Sequence, residues 1–157
     1  MRGFRVSSLV VGSLLILTVS IISLSAQERS KKGLEGVWSV VERDTADGKK
    51  DTSPPPSVRI FTARHFSWNT AGINRPEVPF EKATDAQKAA LWQFGAQTGT
   101  YEVTGTEIVT HASIAKDPAI AKPSYSATYE VKVDSDVLMI RRTKPTVGAW
   151  TKYRRLE

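Results

Sequence analysis

Gly33-Leu34-Glu35-Gly36-Val37-Trp38-Ser39-Val40-Val41 is the stretch of this sequence that decides the fold. It places a glycine, one spacer and a tryptophan at the start of a segment in which apolar and polar residues alternate. Alternation at period two is typical of a half-buried β-strand. We interpret the stretch as the opening strand, over about residues 34–43, of a small closed β-barrel.

Turn signals divide the rest of the chain into further short strands. Asp47-Gly48 and the prolines at 54–56 cannot continue the first strand, because Asp-Gly makes a turn and proline cannot donate to a ladder. Strands are expected at 57–63, 65–71, 98–104, 107–113, 125–133, 137–142 and 148–155. Eight antiparallel strands with short connections predict an all-β, up-and-down barrel, whose closure removes exposed edges. A sandwich, or an open sheet packed on a helix, is the alternative.

One segment changes to helical periodicity. Thr84-Asp-Ala-Gln87 fits a capping box, and an apolar stripe follows it that ends at Gly95 or Gly99. The pattern predicts one amphipathic α-helix inserted among the strands. Its Leu91, Trp92 and Phe94 are expected to act as a lid or plug of the barrel.

The first 26 residues have the layout of a secretory signal peptide. A short basic start carries Arg2 and Arg5, residues 6–24 are uncharged and apolar, and Ser25-Ala26 offers a cleavage site. We therefore expect a signal peptide over 1–26, a flexible leader over 27–33 and a barrel domain over 34–157, located in the periplasm or secreted. Because Leu24 is a poor residue three places before the cut, an uncleaved inner-membrane anchor through residues 6–24 stays open.

Composition excludes several classes of function. The chain has no cysteine, so it forms no disulfide and carries no bacterial lipobox. Loss of Arg2 and Arg5 with the signal lowers the net charge from +6 to +4, and the remaining basic residues are scattered, so we expect no nucleic-acid partner. With no metal cluster, phosphate loop or nucleophile beside a base, we predict no metal site, no cofactor and no catalytic residue.

Five short motifs follow one another along the predicted strands: Gly36-x-Trp38, Thr100-Tyr101-Glu102-Val103, Glu107-Ile-Val-Thr110-His111, Tyr129-Glu-Val and Tyr153-x-Arg155. In this order and spacing the chain resembles the bacterial lipocalin-like family, relatives of the calycins, over residues 34–156. The resemblance implies an eight-stranded barrel and, by analogy with calycins, a cavity for a small apolar or amphipathic molecule. It implies no reaction. The chain departs from true lipocalins in lacking their disulfide and in placing a helix mid-chain.

The resemblance also implies how the barrel closes. In calycin-like barrels the tryptophan after Gly36 plugs the closed end, and a basic residue of the last strand lies over its face. Trp38 and Arg155 are the candidates for this contact, which would set the register of the first strand against the last.

Period-two alternation then selects candidate lumen residues. Tyr125 and Tyr129 share one face of the sixth strand, Phe66 and Trp68 one face of the third, and Tyr101 and Val103 one face of the fourth. On the second strand either Phe61 or Ile60 points inward. Trp68, Tyr101, Tyr125 and Tyr129 are therefore candidate ligand contacts, although plain core packing explains such aromatic residues equally well.

Three polar residues are the other candidates. His111 lies on a strand where parity does not decide which face is inner, and an inward His111 could hydrogen-bond a ligand or ligate haem iron. Arg141 could reach the lumen and pair with a ligand carboxylate, although a solvated rim position is the simpler expectation. Glu42 shares the parity of Trp38 and would form an acid–base pair with an inward His111.

Three hypotheses follow. The leading one is an exported barrel that binds a small hydrophobic or amphipathic ligand. The second is a barrel enzyme, an isomerase or cyclase using His111 and Glu42, or a haem protein using His111. The third is a structural domain with a filled barrel, tethered to the membrane by residues 6–24.

Overall fold

The computed structural model describes residues 33–72 and 75–157. The predicted signal peptide, the alternative anchor over 6–24 and all of the leader except Gly33 lie outside the described residues. Within the described ranges, no helix has the length and apolar character needed to cross a membrane.

The described chain forms one antiparallel sheet that closes on itself. Its strands are β1 (Gly36–Asp44), β2 (Lys50–Asp51), β3 (Ser57–Phe61), β4 (His65–Thr70), β5 (Gly95–Thr104), β6 (Glu107–Ala115), β7 (Ala127–Asp134), β8 (Val137–Lys144) and β9 (Thr151–Arg155). Chain neighbours pair in the order β1-β3-β4-β5-β6-β7-β8-β9, and β9 pairs back onto β1. The two-residue β2 adds only to the end of β1. The predicted barrel of eight strands is confirmed, and closure rules out the open sheet and the sandwich.

One α-helix, α1 (Asp85–Leu91), lies between β4 and β5, after a single 3-10 turn at Phe80–Lys82. The Thr84 hydroxyl accepts from the backbone amide of Gln87, and the Gln87 side chain accepts from the amide of Thr84, so the predicted capping box is present. The helix ends at Leu91, earlier than expected, because β5 already begins at Gly95.

The closed end of the barrel is filled by its own side chains. Trp38, Leu34, Ile108 and Leu138 are among the largest side chains with almost no exposure. Phe61 packs edge-on against Tyr101, with ring centroids 5.3 Å apart. On β3 it is therefore Phe61 that enters the barrel, whereas Ile60 lies on the outer face. The predicted inward faces of β4 and β5 are also observed, since Phe66, Tyr101 and Val103 are buried.

Three strand pairs contain a β-bulge. Val41 in β1, Ser113 in β6 and Thr143 in β8 are each an extra residue relative to the partner strand. Because side chains alternate at period two, each extra residue reverses the faces of the residues beyond it. One candidate residue, Glu42, is affected, because it directly follows Val41.

Candidate functional site

A cavity of about 250 Å³ opens at the end of the barrel opposite Trp38. The strands supply most of its wall, and the connecting segments 116–126 and 145–150 add Ile120, Tyr125, Gly148 and Ala149 to it. The lining residues are Arg59, Trp68, Gln97, Ile120, Tyr125, Tyr129, Ile140, Arg142, Gly148, Ala149 and Thr151. The barrel is therefore filled in its closed half and hollow in its open half.

Three of the six candidate ligand contacts line this cavity: Trp68, Tyr125 and Tyr129. The indole of Trp68 donates to the Ser57 hydroxyl at 3.0 Å, and that hydroxyl donates to the Asn69 carbonyl at 3.1 Å. This chain of hydrogen bonds fixes the ring against the wall. Tyr125 is not part of the sixth long strand as expected, because β7 begins at Ala127, and it reaches the cavity from the preceding loop.

The cavity also contains a residue that the sequence reasoning missed, Arg59. The residue is only 7% exposed, and it shares the inward face of β3 with Ser57 and Phe61. The Nε of Arg59 donates to the Tyr153 hydroxyl at 3.1 Å. Its Cζ lies 5.2 Å, 5.4 Å and 5.5 Å from the ring centroids of Trp68, Tyr129 and Tyr153. The signal was present in the sequence, since an inward Phe61 requires an inward Arg59 two residues earlier.

At the closed end, the guanidinium of Arg155 lies over the ring of Trp38, with Cζ 4.1 Å from its centroid. The two residues are register partners of β1 and β9. Arg155 also donates to the Gly33 carbonyl at 2.7 Å and to the Glu35 carbonyl, while the Trp38 indole donates to the Leu34 carbonyl at 2.8 Å. Together these contacts join the first and last strands.

Gly36 is required by this packing. Its φ of 138° is one that side chains rarely adopt, and a Cβ there would lie 2.5 Å from the Arg155 guanidinium and 2.6 Å from the Glu157 carbonyl oxygen. The glycine therefore leaves the space in which Arg155 crosses to Trp38.

Tyr101 is buried at the closed end and does not line the cavity. Its hydroxyl donates to the Thr62 carbonyl at 2.7 Å, in the turn between β3 and β4. Burial, and to a lesser degree the charge of Glu35, raises the pKa of Tyr101 to about 12. The structure thus places this candidate in the core and not against a ligand.

His111 lies on the outer surface of the barrel. Ile108, Thr110 and Ala112 are buried on the inner face of β6, so the intervening His111 points outward and is exposed. The bulge at Ser113 comes after His111 and leaves this parity intact. A lumen role for His111, including haem ligation inside the barrel, does not fit this position.

Glu42 is also on the outer face, because the bulge at Val41 separates it from the parity of Trp38. Its register partner is Lys152, which lies between the inward-facing Thr151 and Tyr153. The Lys50 ammonium donates a hydrogen bond to the Glu42 carboxylate, and this contact holds the pKa of that carboxyl below its ordinary value. β1 and β6 lie four strands apart in either direction around the barrel, so Glu42 and His111 point away from each other. The acid–base pair of the second hypothesis is not formed.

Arg141 points outward as well. It pairs with Glu130 across β7 and β8, donating from Nη2 to the carboxylate at 2.6 Å, and it lies over Trp150 at 4.8 Å. Arg142, two residues after the buried Ile140, shares the inward face of β8 and lines the cavity instead. Arg142 donates from Nε to the Thr146 carbonyl at 3.0 Å and from Nη2 to the Thr146 hydroxyl at 2.7 Å.

The inserted helix does not line the cavity. None of the residues of α1 is buried, and the following Trp92 is 57% exposed. Trp92 stacks on Phe94 and meets Phe80 edge-on, while Lys116 lies 4.4 Å from the Phe94 ring centroid. The cluster therefore lies outside the barrel, contrary to the expected lid or plug.

Two further features of the described residues bear on ligand chemistry. Among residues 33–72 and 75–157, no group of three His, Cys, Asp or Glu side chains converges on a metal position. A larger groove of about 630 Å³ lies outside the closed end, around Gly33, Lys132 and Arg155.

A closed meander of eight antiparallel strands around a lumen that opens at one end is the architecture of the lipocalins. The fold is lipocalin-like. Among solved structures, a lipocalin-like protein from Bacteroides uniformis aligns over 79% of this chain and 99% of its own, at 17% identity and a TM-score of 0.48. An uncharacterised protein from Bacteroides eggerthii aligns over 77% and 98%, at 15% identity and a TM-score of 0.43.

A mutant of the fluorescent protein UnaG aligns over 80% of this lipocalin-like chain and 98% of its own, at 13% identity and a TM-score of 0.36. No protein family model and no curated protein sequence matches the chain.

Proposed function

We propose that this domain binds a small apolar or amphipathic molecule in the cavity at the open end of the barrel. The observation that carries the proposal is the division of the lumen. The closed half is filled around Trp38, while the open half keeps about 250 Å³ beside Trp68 and Tyr129. Small-molecule sites are typically concave and lined by aromatic side chains with a few oriented polar groups, and this cavity has both.

The size of the cavity limits the ligand. Its volume lies just below the roughly 300–1,000 Å³ of sites for drug-sized molecules. The ligand is therefore a small molecule, or one whose remainder extends out of the cavity. We propose no reaction, because His111 and Glu42 face outward on opposite sides of the barrel.

Fluorescence titration with prodan, a neutral apolar dye whose emission responds to polarity, tests the proposal. The Trp68→Leu variant removes an aromatic wall of the cavity, and Trp150→Leu is its matched control. Trp150 lies outside the barrel, between Lys132 at 4.6 Å and Arg141 at 4.8 Å. We expect saturable binding that Trp68→Leu weakens by about threefold to tenfold, because a lost aromatic contact is worth about 0.5–1.5 kcal/mol, while Trp150→Leu leaves it unchanged. Absence of saturable binding, or equal effects of the two variants, would overturn the proposal.

We further propose that the barrel works outside the cytoplasm. This rests on the sequence of residues 1–26, whose basic start, apolar run and small residues fit a signal peptide. The intact mass of the protein recovered from the periplasm of an expressing bacterium is the test. A soluble product that begins at Gln27 supports export and cleavage. A membrane-bound product that retains residue 1 supports the anchor, and a cytoplasmic product contradicts both.

A further inference from the structure

Arg59 is a buried cation at the inner end of the cavity. It is the register partner of Trp38, which forms the floor of the barrel, and of Trp68 on the other side. Its Nε is engaged by the Tyr153 hydroxyl, and three aromatic rings surround the guanidinium. No hydrogen bond from its two terminal nitrogens reaches another residue of 33–72 or 75–157. Those two nitrogens are the free end of the group.

The charge of Arg59 has no acidic partner in the described part of the chain. No carboxylate of residues 33–72 or 75–157 forms a salt bridge with it, and none of the residues that line the cavity is acidic. A second cation, Arg142, stands in the same wall, and its Nε and Nη2 donate to Thr146. An arginine keeps its charge in proteins, and a buried charge is costly unless it is paired. A cleft with low-dielectric walls and charge of one sign concentrates counter-ions.

Resting on the proposed function, we infer that the ligand carries an anionic group, and that the Arg59 guanidinium binds it as a carboxylate. The terminal edge of a guanidinium presents two parallel N–H donors that match the two oxygens of a carboxylate. Trp68 and Tyr129, which flank the guanidinium, supply an apolar surface for the rest of the molecule. The class of ligand is thus a small carboxylic acid with an apolar or aromatic body.

The contacts around Arg59 explain why an unpaired guanidinium is tolerated before the ligand arrives. Cation–π contacts with aromatic rings stabilise a desolvated cation without neutralising its charge. The hydrogen bond to Tyr153 fixes the Nε side of the guanidinium, and the residue lines the cavity. The residue is pre-organised for an acceptor that the described chain does not supply.

The test compares an acid with its neutral isostere. Phenylacetate and phenylacetamide have almost the same shape and differ in charge, and each is titrated against prodan bound to the wild-type domain. We expect phenylacetate to displace the dye with a dissociation constant at least about tenfold lower than that of phenylacetamide, as hydrogen bonds to charged groups require.

Two variants assign that preference to Arg59. Arg59→Met removes the charge while keeping an unbranched side chain, and we expect it to make the acid and the amide equal within about twofold. Arg154→Met is the matched control, because Arg154 is exposed on the outer face of β9. It should leave the preference at its wild-type value. Arg59→Lys keeps the positive charge and should retain a reduced preference for the acid over the amide. If the Met variant does not fold, the Lys variant provides the test of whether Arg59 binds the anion.

The outcomes separate this inference from the proposed function. Failure of prodan to bind would contradict the proposed function itself. Binding of prodan with equal displacement by phenylacetate and phenylacetamide would overturn the anion site and leave the apolar site standing. A preference that survives in Arg59→Met and disappears in Arg154→Met would also overturn it, because the anion would then bind at the outer surface.

Discussion

The Nε of Arg59 donates to the hydroxyl of Tyr153 at 3.1 Å, across 94 residues of sequence. The two side chains come from β3 and β9, the two strands that pair with β1 on either side. Their hydrogen bond therefore crosses the inside of the barrel behind β1. It links closure of the barrel to the position of its buried cation.

Replacing Tyr153 by phenylalanine removes the acceptor of this hydrogen bond and leaves the buried Nε of Arg59 without a partner. A buried donor that loses its partner costs about 1–3 kcal/mol, so we expect the free energy of unfolding to fall by that amount. Urea denaturation followed by circular dichroism measures it. Tyr125→Phe is the control, because the Tyr125 hydroxyl has no hydrogen-bond partner among residues 33–72 and 75–157, and it should change stability by less than about 0.5 kcal/mol. Equal effects of the two variants would contradict the assigned role of the Tyr153 hydroxyl.

Arg155 joins the ends of the barrel through Trp38 and through the carbonyl groups of Gly33 and Glu35. Arg155→Met should lower the free energy of unfolding by about 2–4 kcal/mol, since it removes one cation–π contact and two charge-assisted hydrogen bonds. Arg154→Met removes the same charge from an exposed position and should cost less than about 0.5 kcal/mol. If urea unfolding shows the two arginines to be equivalent, the barrel is not closed by this contact.

Gly99 lies where β5 crosses the bulge of β6. A Cβ at this position would lie 2.0 Å from the His111 carbonyl oxygen and 2.7 Å from the Ala112 Cα, and both are backbone atoms that cannot move aside alone. Gly99→Ala should therefore destabilise the domain by about 3 kcal/mol or more. At Gly148 the nearest atom to a new Cβ is the Arg142 Cβ, 3.6 Å away, so Gly148→Ala should cost less than about 1 kcal/mol. Thermal unfolding of the two variants shows which substitution is the more destabilising. A Gly99→Ala variant as stable as the wild type would contradict the register of β5 on β6.

Tyr101 makes stability depend on pH in the alkaline range. Burial raises its pKa in the folded state to about 12, from an unfolded value of about 10. The unfolded state therefore loses the proton first, so the stabilisation is complete below pH 10 and is lost as the pH rises toward 12. The difference amounts to about 2–3 kcal/mol. Tyr101→Phe should unfold in urea with a smaller loss of stability than the wild type between pH 10 and 12. If the free energy of unfolding falls equally with pH for the two proteins, Tyr101 is not buried in this way.

Much of the barrel was predictable because period two is a local property of the chain. The alternation around Tyr101 and Val103, and around Phe66, identified inward faces that the structure confirms. The capping box of α1 was readable for the same reason, since Thr84 and Gln87 are three residues apart.

The polar residues of the site were not predictable at the same level. An extra residue at Val41 reverses the face of Glu42, and no local pattern marks this bulge. Arg142 shares the inward face of Leu138 and Ile140, which leaves the candidate Arg141 on the outer face. Arg59 was concealed by its neighbours, because Val58 and Ile60 made the opposite face of β3 look equally apolar. The position of α1 on the outside of the barrel depends on which surface of the strands is left free. The amphipathic pattern of the helix does not specify that surface.

The four tryptophans report on four different places in the molecule: Trp38 at the closed end, Trp68 in the cavity, Trp92 after α1 and Trp150 on the outer wall. A titration of the isotope-labelled domain with phenylacetate, followed through the four indole N–H signals and the Arg59 Nε–H signal in proton–nitrogen correlation spectra, tests most directly whether the barrel holds a small acid. We predict saturable shifts of the Trp68 and Arg59 signals and no shift of those from Trp92 and Trp150. Shifts confined to Trp92 or Trp150, or no saturable shift at all, would contradict a ligand site inside the barrel.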